Sequence, residues 1–283
     1  MYHDEYGFDA LALDSPLDRT ERTGEGAVLE ENFAGNLVGL ILASDLFTAR
    51  NLGPRPWIEG LVLATSWSGA TIRFSGERLS QDDLDTLLGC VLLAFRNPGR
   101  SAGATRFSLR DLTRLIRPTG RRFAARCLER SLWRLAAARL EIESGAGQIL
   151  IQTRLIHALL CDSAAGVCST EINPRIMDGM RSATTVERLL ATRIPLGTAL
   201  FRRWLTGLLA NSTGCLRLDL AGLRRLSGLS HQPMSAFRIR AVAALQALLD
   251  LGYIVSIEPN GPDRMVVMHQ VARGEQAACQ LLS

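Results

Sequence analysis

The sequence predicts an α+β, mostly helical fold in which one unit occurs twice, and three observations carry that expectation. Apolar residues recur at helical spacing in several long segments. Short alternating runs around Gly- or Asn-containing turns follow two of those helical segments. The order helix, turn, helix, hairpin then appears once in each half of the chain. That order defines tandem winged helix-turn-helix domains, with each hairpin as a wing. At 283 residues and 47% hydrophobic, the chain can bury such cores.

The elements follow in order. Residues 1–35 are poor in aliphatics and rich in Asp, Glu, Ser, Thr and Gly, which predicts an acidic disordered arm. NLVGLILASDLF is an apolar run ended by the prolines of NLGPRPW. GLVLATSWSGATIRFSG reads as a hairpin turning at Ser66–Gly69. Ser80 and Asp83 form a capping-box start for an amphipathic helix carrying Leu84, Leu87, Leu88, Val91, Leu92 and Phe95, which Asn97-Pro98-Gly99 stops. Ser108 caps SLRDLTRLI, and Arg117-Pro118-Thr119-Gly120 breaks the chain before RRFAARCLERSLWRLAAARL. In that second helix Phe123, Cys127, Leu128, Leu132 and Leu135 share a core face; Arg122, Arg126, Glu129 and Trp133 share the opposite one. LEIES and QILIQTRLI around Gly145–Gly147 form the hairpin assigned as the first wing.

The second copy uses PLGTALFRRWLTGLLAN, with Pro195 at its start, and the short run CLRLDL. Asp219 then caps LAGLRRLSGL, and MSAFRIRAVAALQALLDLG closes at Gly252. YIVSIEP and DRMVVMH pair around Asn260-Gly261. The division is therefore 1–35 arm, 36–180 first winged-helix domain and 181–283 second, with TTVERLLATRI as a connecting helix packed between them.

Charge is divided unevenly. Residues 1–35 hold nine acids and two arginines, net −7, which leaves 30 arginines against 19 acids, net +11, for the rest. That asymmetry fits a polyanion-binding body with an acidic lead-in. All basic side chains are arginine, suited to bidentate contact with phosphate or guanine. No run of 18 apolar residues exists, and the N-terminus lacks a basic start and apolar core, so no membrane span or export signal is expected and the location is cytoplasmic. The six cysteines form no C-x-x-C pair and read as buried thiols. The four histidines never reach metal-ligand spacing; phosphate-loop and G-x-S-x-G patterns are absent. The expectation is a non-enzyme with no cofactor and no metal.

Reading of double-stranded DNA needs side chains on the outward face of a helix, mainly in its first two turns. The first unit offers Arg121, Arg122, Arg126 and Arg130, with Thr119 at the helix entrance and Arg154 beside the assigned wing. The second offers His231, Gln232, Ser235, Arg238 and Arg240. Trp133 is expected to pack beneath the wing or against the other unit.

At SDLFTARN, GERLSQDDLDTLL, RRFAARCLERSLWRLAAARLEI and FRIRAVAALQALLDLGYI the sequence resembles the TrfA family of plasmid replication initiators, over about residues 36–270. GERLSQDDLD after a hairpin is the most specific of these strings. The resemblance implies an initiator that binds direct repeats (iterons) at a plasmid origin, promotes duplex opening, and recruits host DnaA and the DnaB helicase. The family also contacts the sliding clamp through a Q-L-x-L-F pattern; ALALDSPL is the nearest string here and departs from it, so that partner is not carried over. Monomer and homodimer both stay open. The alternative function is a winged-helix transcriptional regulator, and a third class is an interaction scaffold that binds no DNA.

Overall fold

The structure, a computed structural model, describes residues 37–65, 70–99, 103–118, 125–144, 149–210, 215–259, 261 and 264–269. The acidic arm, with residue 36, lies outside them. The chain is α+β, as the sequence predicts.

A short buried helix, α1 (Leu37–Leu42), leads to β1 (Phe47–Thr48), which pairs in parallel with β4 (Leu79–Ser80). Between them β2 (Trp57–Val62) and β3 (Ala70–Glu77) form the expected hairpin. Helix α2 (Gln81–Arg96) starts at Ser80, whose backbone N–H donates to Asp83 Oδ2 at 2.8 Å. It differs from expectation in being buried nearly all round, so it is the central helix of the molecule and not a surface one.

Strand β5 (Ala104–Ser108) and helix α3 (Leu109–Ile116) follow, with Ser108 Oγ accepting from the Asp111 N–H at 3.1 Å. Gly89 of α2 lets α3 approach closely: a Cβ there would stand 2.5 Å from Leu112 Cδ1. Helix α4 (Ala125–Ala137) buries Leu128, Ser131, Leu132 and Leu135. Phe123 lies outside the described residues, and Cys127 is exposed, because it sits a quarter-turn off the Leu128–Leu132–Leu135 stripe.

The hairpin that the sequence assigns as the first wing is present, as β6 (Arg139–Ser144) and β7 (Ile149–Arg154), but it is built into a larger sheet. Strand β6 pairs with β3, giving a four-stranded sheet in the order β2-β3-β6-β7. The strands that complete the first unit come later: β8 (Ile156–Asp162) and β9 (Val167–Ile172), with β9 pairing β5 from Ser108↔Val167 to Ala104↔Glu171. Inward-facing Leu140, Ile142 and Ile151 explain the diversion, since they join the core that already holds Ile72 and Phe74 of β3.

Helices α5 (Pro174–Met180) and α6 (Ala183–Arg193) lead to a 3₁₀ turn (Ile194–Leu196) and α7 (Leu200–Ala210). Pro195 lies in that turn, ahead of α7. Strand β10 (Cys215–Asp219), α8 (Leu220–Leu226), α9 (Met234–Asp250), β11 (Ile254–Pro259) and β12 (Arg264–His269) complete the chain. Asp219 caps α8 by accepting from the Gly222 N–H at 2.7 Å. Sheet order β10-β12-β11 reproduces β5-β9-β8: the strand before the two helices pairs with the last strand of the hairpin after them.

Two apolar cores result. One runs from Leu37 to Leu190, and so takes in the connecting helix α6; the other runs from Leu196 to Val267 and draws in Ala43 and Ala49. Phe201 stacks on Trp204 at 5.9 Å and meets Phe237 edge-on at 5.3 Å, fixing α9 on α7. The junction is polar. Asp85, on α2, receives Arg193 and Arg203, while Asp82 receives Arg203 at 2.8 Å and Arg117 at 2.6 Å. The first segment also crosses over: Trp204 Nε1 donates to Ser44 O at 3.1 Å, and the Ala49 N–H to Ser227 O at 2.9 Å.

Candidate nucleic-acid interface

Three elements of the first unit converge on one open groove of about 1320 Å³. The start of α3 supplies Ser108, Leu109, Arg110 and Arg114; α4 supplies Ala125, Arg126, Glu129, Arg130 and Trp133; the turn between β8 and β9 supplies Ser163, Ala165 and Gly166. The turn is tied down on both sides. Leu109 N–H donates to Gly166 O at 2.9 Å, and Ser163 Oγ donates to Glu129 Oε1. Glu129 is thereby engaged by the protein itself.

At about 3.6 residues per turn, Leu128, Leu132 and Leu135 centre on one side of α4, and Arg126 and Arg130 fall opposite. Both are exposed, and neither has an ion-pair partner among the described residues. Arg110 is likewise exposed without one; Arg114 pairs with Asp111 at 3.3 Å. The helix is held from its inner side. Asp83, wholly buried, accepts from Ser131 Oγ at 2.6 Å and from Arg134 Nη2 at 2.7 Å, and also pairs with Arg55 at 2.7 Å. Burial pushes the Asp83 carboxyl up, but Arg134, Arg55 and Ser131 together outweigh it and hold its pKa below the usual range. A charged Asp83 thus fixes the helix that presents Arg126 and Arg130.

The sequence-derived residues distribute as follows. Arg126 and Arg130 meet in this groove. Thr119, Arg121 and Arg122 lie outside the described residues. Arg154 ends β7 in the four-stranded sheet, away from this groove and directly across from Arg139, and half-burial and that arginine lower its pKa. Trp133 lies on the outward side of α4, in the groove walled by the β8–β9 turn. It is 41% exposed and lines both this groove and an adjoining one of about 550 Å³ shared with Trp57 and Arg55. Sequence reasoning missed Arg110 and Arg114, whose one-turn spacing on SLRDLTRLI was the available signal.

In the second unit His231, Ser235, Arg238 and Arg240 are exposed along the turn before α9 and its first two turns. Gln232 is half-buried, and its carbonyl accepts from Arg224 Nη1 at 2.8 Å. One further correction concerns the cysteines. Cys161 and Cys168 stand opposite each other on β8 and β9, with Cα atoms 4.2 Å apart, and form a disulfide across the hairpin. Sequence spacing alone hid this, because a separation of seven residues means little until strand register is known.

No group of three metal-ligating side chains exists among the described residues, and none of their helices is long and apolar enough to cross a membrane.

The chain matches no family model and no curated protein. Its fold is similar to a crystal structure of domains 2 and 3 of RctB, at 15% identity and a TM-score of 0.52 over 84% of this chain and 99% of that one. A second structure of RctB domains 2–3 aligns at 13% identity and a TM-score of 0.45, over 83% and 97% of the two chains. The likeness to the first is one of fold.

Proposed function

We propose that this chain is a DNA-binding replication initiator with no catalytic activity of its own, using two winged helix-turn-helix units on duplex DNA. One observation carries the reading. The helix–strand–helix–helix–strand–strand order recurs with one sheet topology, interrupted by β6 and β7 in the first copy, where the outward centre of the third helix holds two arginines without ion-pair partners among the described residues, in an open groove. That groove is bounded by the elements that meet duplex DNA in such units: the start of the second helix, the reading helix and the wing turn. Fold likeness to domains of the RctB replication initiator supports the initiator role. Binding of iterons, duplex opening, and recruitment of DnaA and DnaB rest on the resemblance to the TrfA family, as does the placement in the cytoplasm.

Selection by the full chain from a pool of duplexes with a randomised core tests the reading. The expected result is enrichment of one sequence, bound with an affinity that falls at least a hundredfold between about 50 and 200 mM salt. Loss of a plasmid that carries direct repeats of that sequence, when the gene is deleted, then separates an initiator from a transcriptional regulator. Recovery of no sequence, with flat salt dependence, overturns the DNA-binding reading.

A further inference from the structure

The two reading helices present opposite chemistries. On α9 the core residues Phe237, Ala241, Leu245 and Leu248 define the inner side, and at about 3.6 residues per turn Ile239 falls diametrically opposite them. Ile239 is 73% exposed and Val242, beside it, 51%. Arg238 and Arg240 lie to either side of that line, both exposed. From Met234 to Leu249 the helix carries no acid, and the preceding α8 adds exposed Arg225. The result is an apolar centre between two cationic margins. On α4 the corresponding centre is Arg126 and Arg130.

We infer that α9 reads thymine: Ile239 and Val242 cover the 5-methyl groups that A·T pairs project into the major groove, while Arg238 and Arg240 engage the phosphates on either side. The inference rests on the proposal that the chain binds duplex DNA. The major groove offers a protein only one apolar group, the thymine methyl, and covering it removes both that methyl and Ile239 from water. Charge complementarity selects DNA as the occupant, since a flat protein partner would have to match arginines on both flanks and no acid between. The reading helices then divide the code: α4 addresses guanine through guanidinium groups, and α9 addresses thymine through hydrocarbon.

The test uses the full chain and the duplex it selects from the randomised pool. That duplex is resynthesised with deoxyuridine replacing each thymidine in turn, which deletes one methyl and leaves pairing intact. Wild-type protein should lose about fourfold in affinity at one or two positions, the equivalent of about 0.8 kcal/mol per buried carbon. Ile239→Ala should bind thymidine and deoxyuridine forms of those positions alike, with an unchanged thermal midpoint. If deoxyuridine has no effect at any position while a sequence is still selected, thymine reading fails and DNA binding stands. Sensitivity that persists in both Ile239→Ala and Val242→Ala places the methyl contact elsewhere and also overturns it. A variant that changes sedimentation of the free protein without changing DNA affinity makes the face a protein interface. Failure to select any sequence overturns the DNA reading itself.

Discussion

Arg193 Nε lies 2.6 Å from Asp85 Oδ1, 108 positions apart in the chain and with both side chains out of solvent. Arg203 takes the other carboxylate oxygen, and Arg193 Nη2 reaches Gln81 Oε1 at 2.9 Å. The two ends of the connecting segment, on α6 and α7, therefore close on one carboxylate of α2. Both arginines are buried, so each needs a carboxylate beside it: Asp85 for Arg193, and Asp85 with Asp82 for Arg203.

Replacing Asp85 by Asn should consequently destabilise the protein by about 3–5 kcal/mol, since buried Arg193 loses its carboxylate partner and Arg203 keeps only Asp82. Urea unfolding of the variant against wild type measures it. A loss under about 1 kcal/mol would show that water reaches the junction and compensates the arginines.

Acid should act through the same groups. Burial raises the Asp85 carboxyl, but Arg193, Arg203 and Arg117 together hold it below its usual range, as Arg134 and Arg55 do for Asp83. Folded values lie below unfolded ones, so this stabilisation is complete above about pH 5 and is lost as pH falls below about 4, through the folded values. Asp45 opposes the trend: burial raises its pKa despite Arg78, so its cost is relieved at low pH. The urea midpoint should stay level from about pH 7 to 5 and then drop, and Asp83→Asn should shallow that drop.

Gly228 should tolerate no side chain. Its φ is +74°, and a Cβ would stand 2.2 Å from Thr48 Oγ1, the hydroxyl that donates to Ser227 O. Gly228→Ala is expected to cost about 1–3 kcal/mol by calorimetry, through backbone strain and displacement of β1 from the end of α8. Thr48→Ala should recover part of that loss by making room.

Thiol labelling separates the cysteines. Exposed Cys127 should alkylate quickly in the native state, whereas Cys90, buried on α2 with its thiol pKa pushed up, should react only on unfolding. Cys161 and Cys168 should resist labelling until a reductant is added, even in denaturant. Mass spectrometry of tryptic peptides reads all four.

At the interface, Arg126→Ala and Arg130→Ala should each weaken binding to the selected duplex by about 1–3 kcal/mol, with little change on random DNA if they read guanine. Arg154→Ala should leave both affinities nearly unchanged, because its side chain belongs to the four-stranded sheet. Gel-shift titration at one salt concentration compares them. Equal losses on both DNAs for Arg126 and Arg130 would assign them to phosphates.

Much of this was legible because local chemistry sufficed. Ser80, Ser108 and Asp219 announced helix starts, and the structure uses each of them. What stayed hidden depended on register and distance. The β6–β7 hairpin follows α4 in sequence, and adjacency suggested a free hairpin there; only register reveals its pairing with β3. Asp83 read as a capping residue, which it is, yet its other oxygen holds Ser131 and Arg134, 48 and 51 residues away. Arg193 and Arg203 were invisible as core residues because an arginine in a helical pattern normally marks the solvent side, and only a distant carboxylate reverses that.

The detour of the chain through β6 and β7 also dictates an order of events during synthesis. A ribosome delivers α4 and then the hairpin that closes on β3, so the four-stranded sheet can be complete while the β8–β9 hairpin is still unmade. Strand β5 waits with an open edge until β9 emerges, about 60 residues later, or roughly 3–12 s at ordinary elongation rates. In the second unit β10 waits for β12 across a similar stretch, with nothing inserted between α9 and its hairpin. The groove of the first unit therefore gains its last wall, the β8–β9 turn, only after both of its helices have left the ribosome.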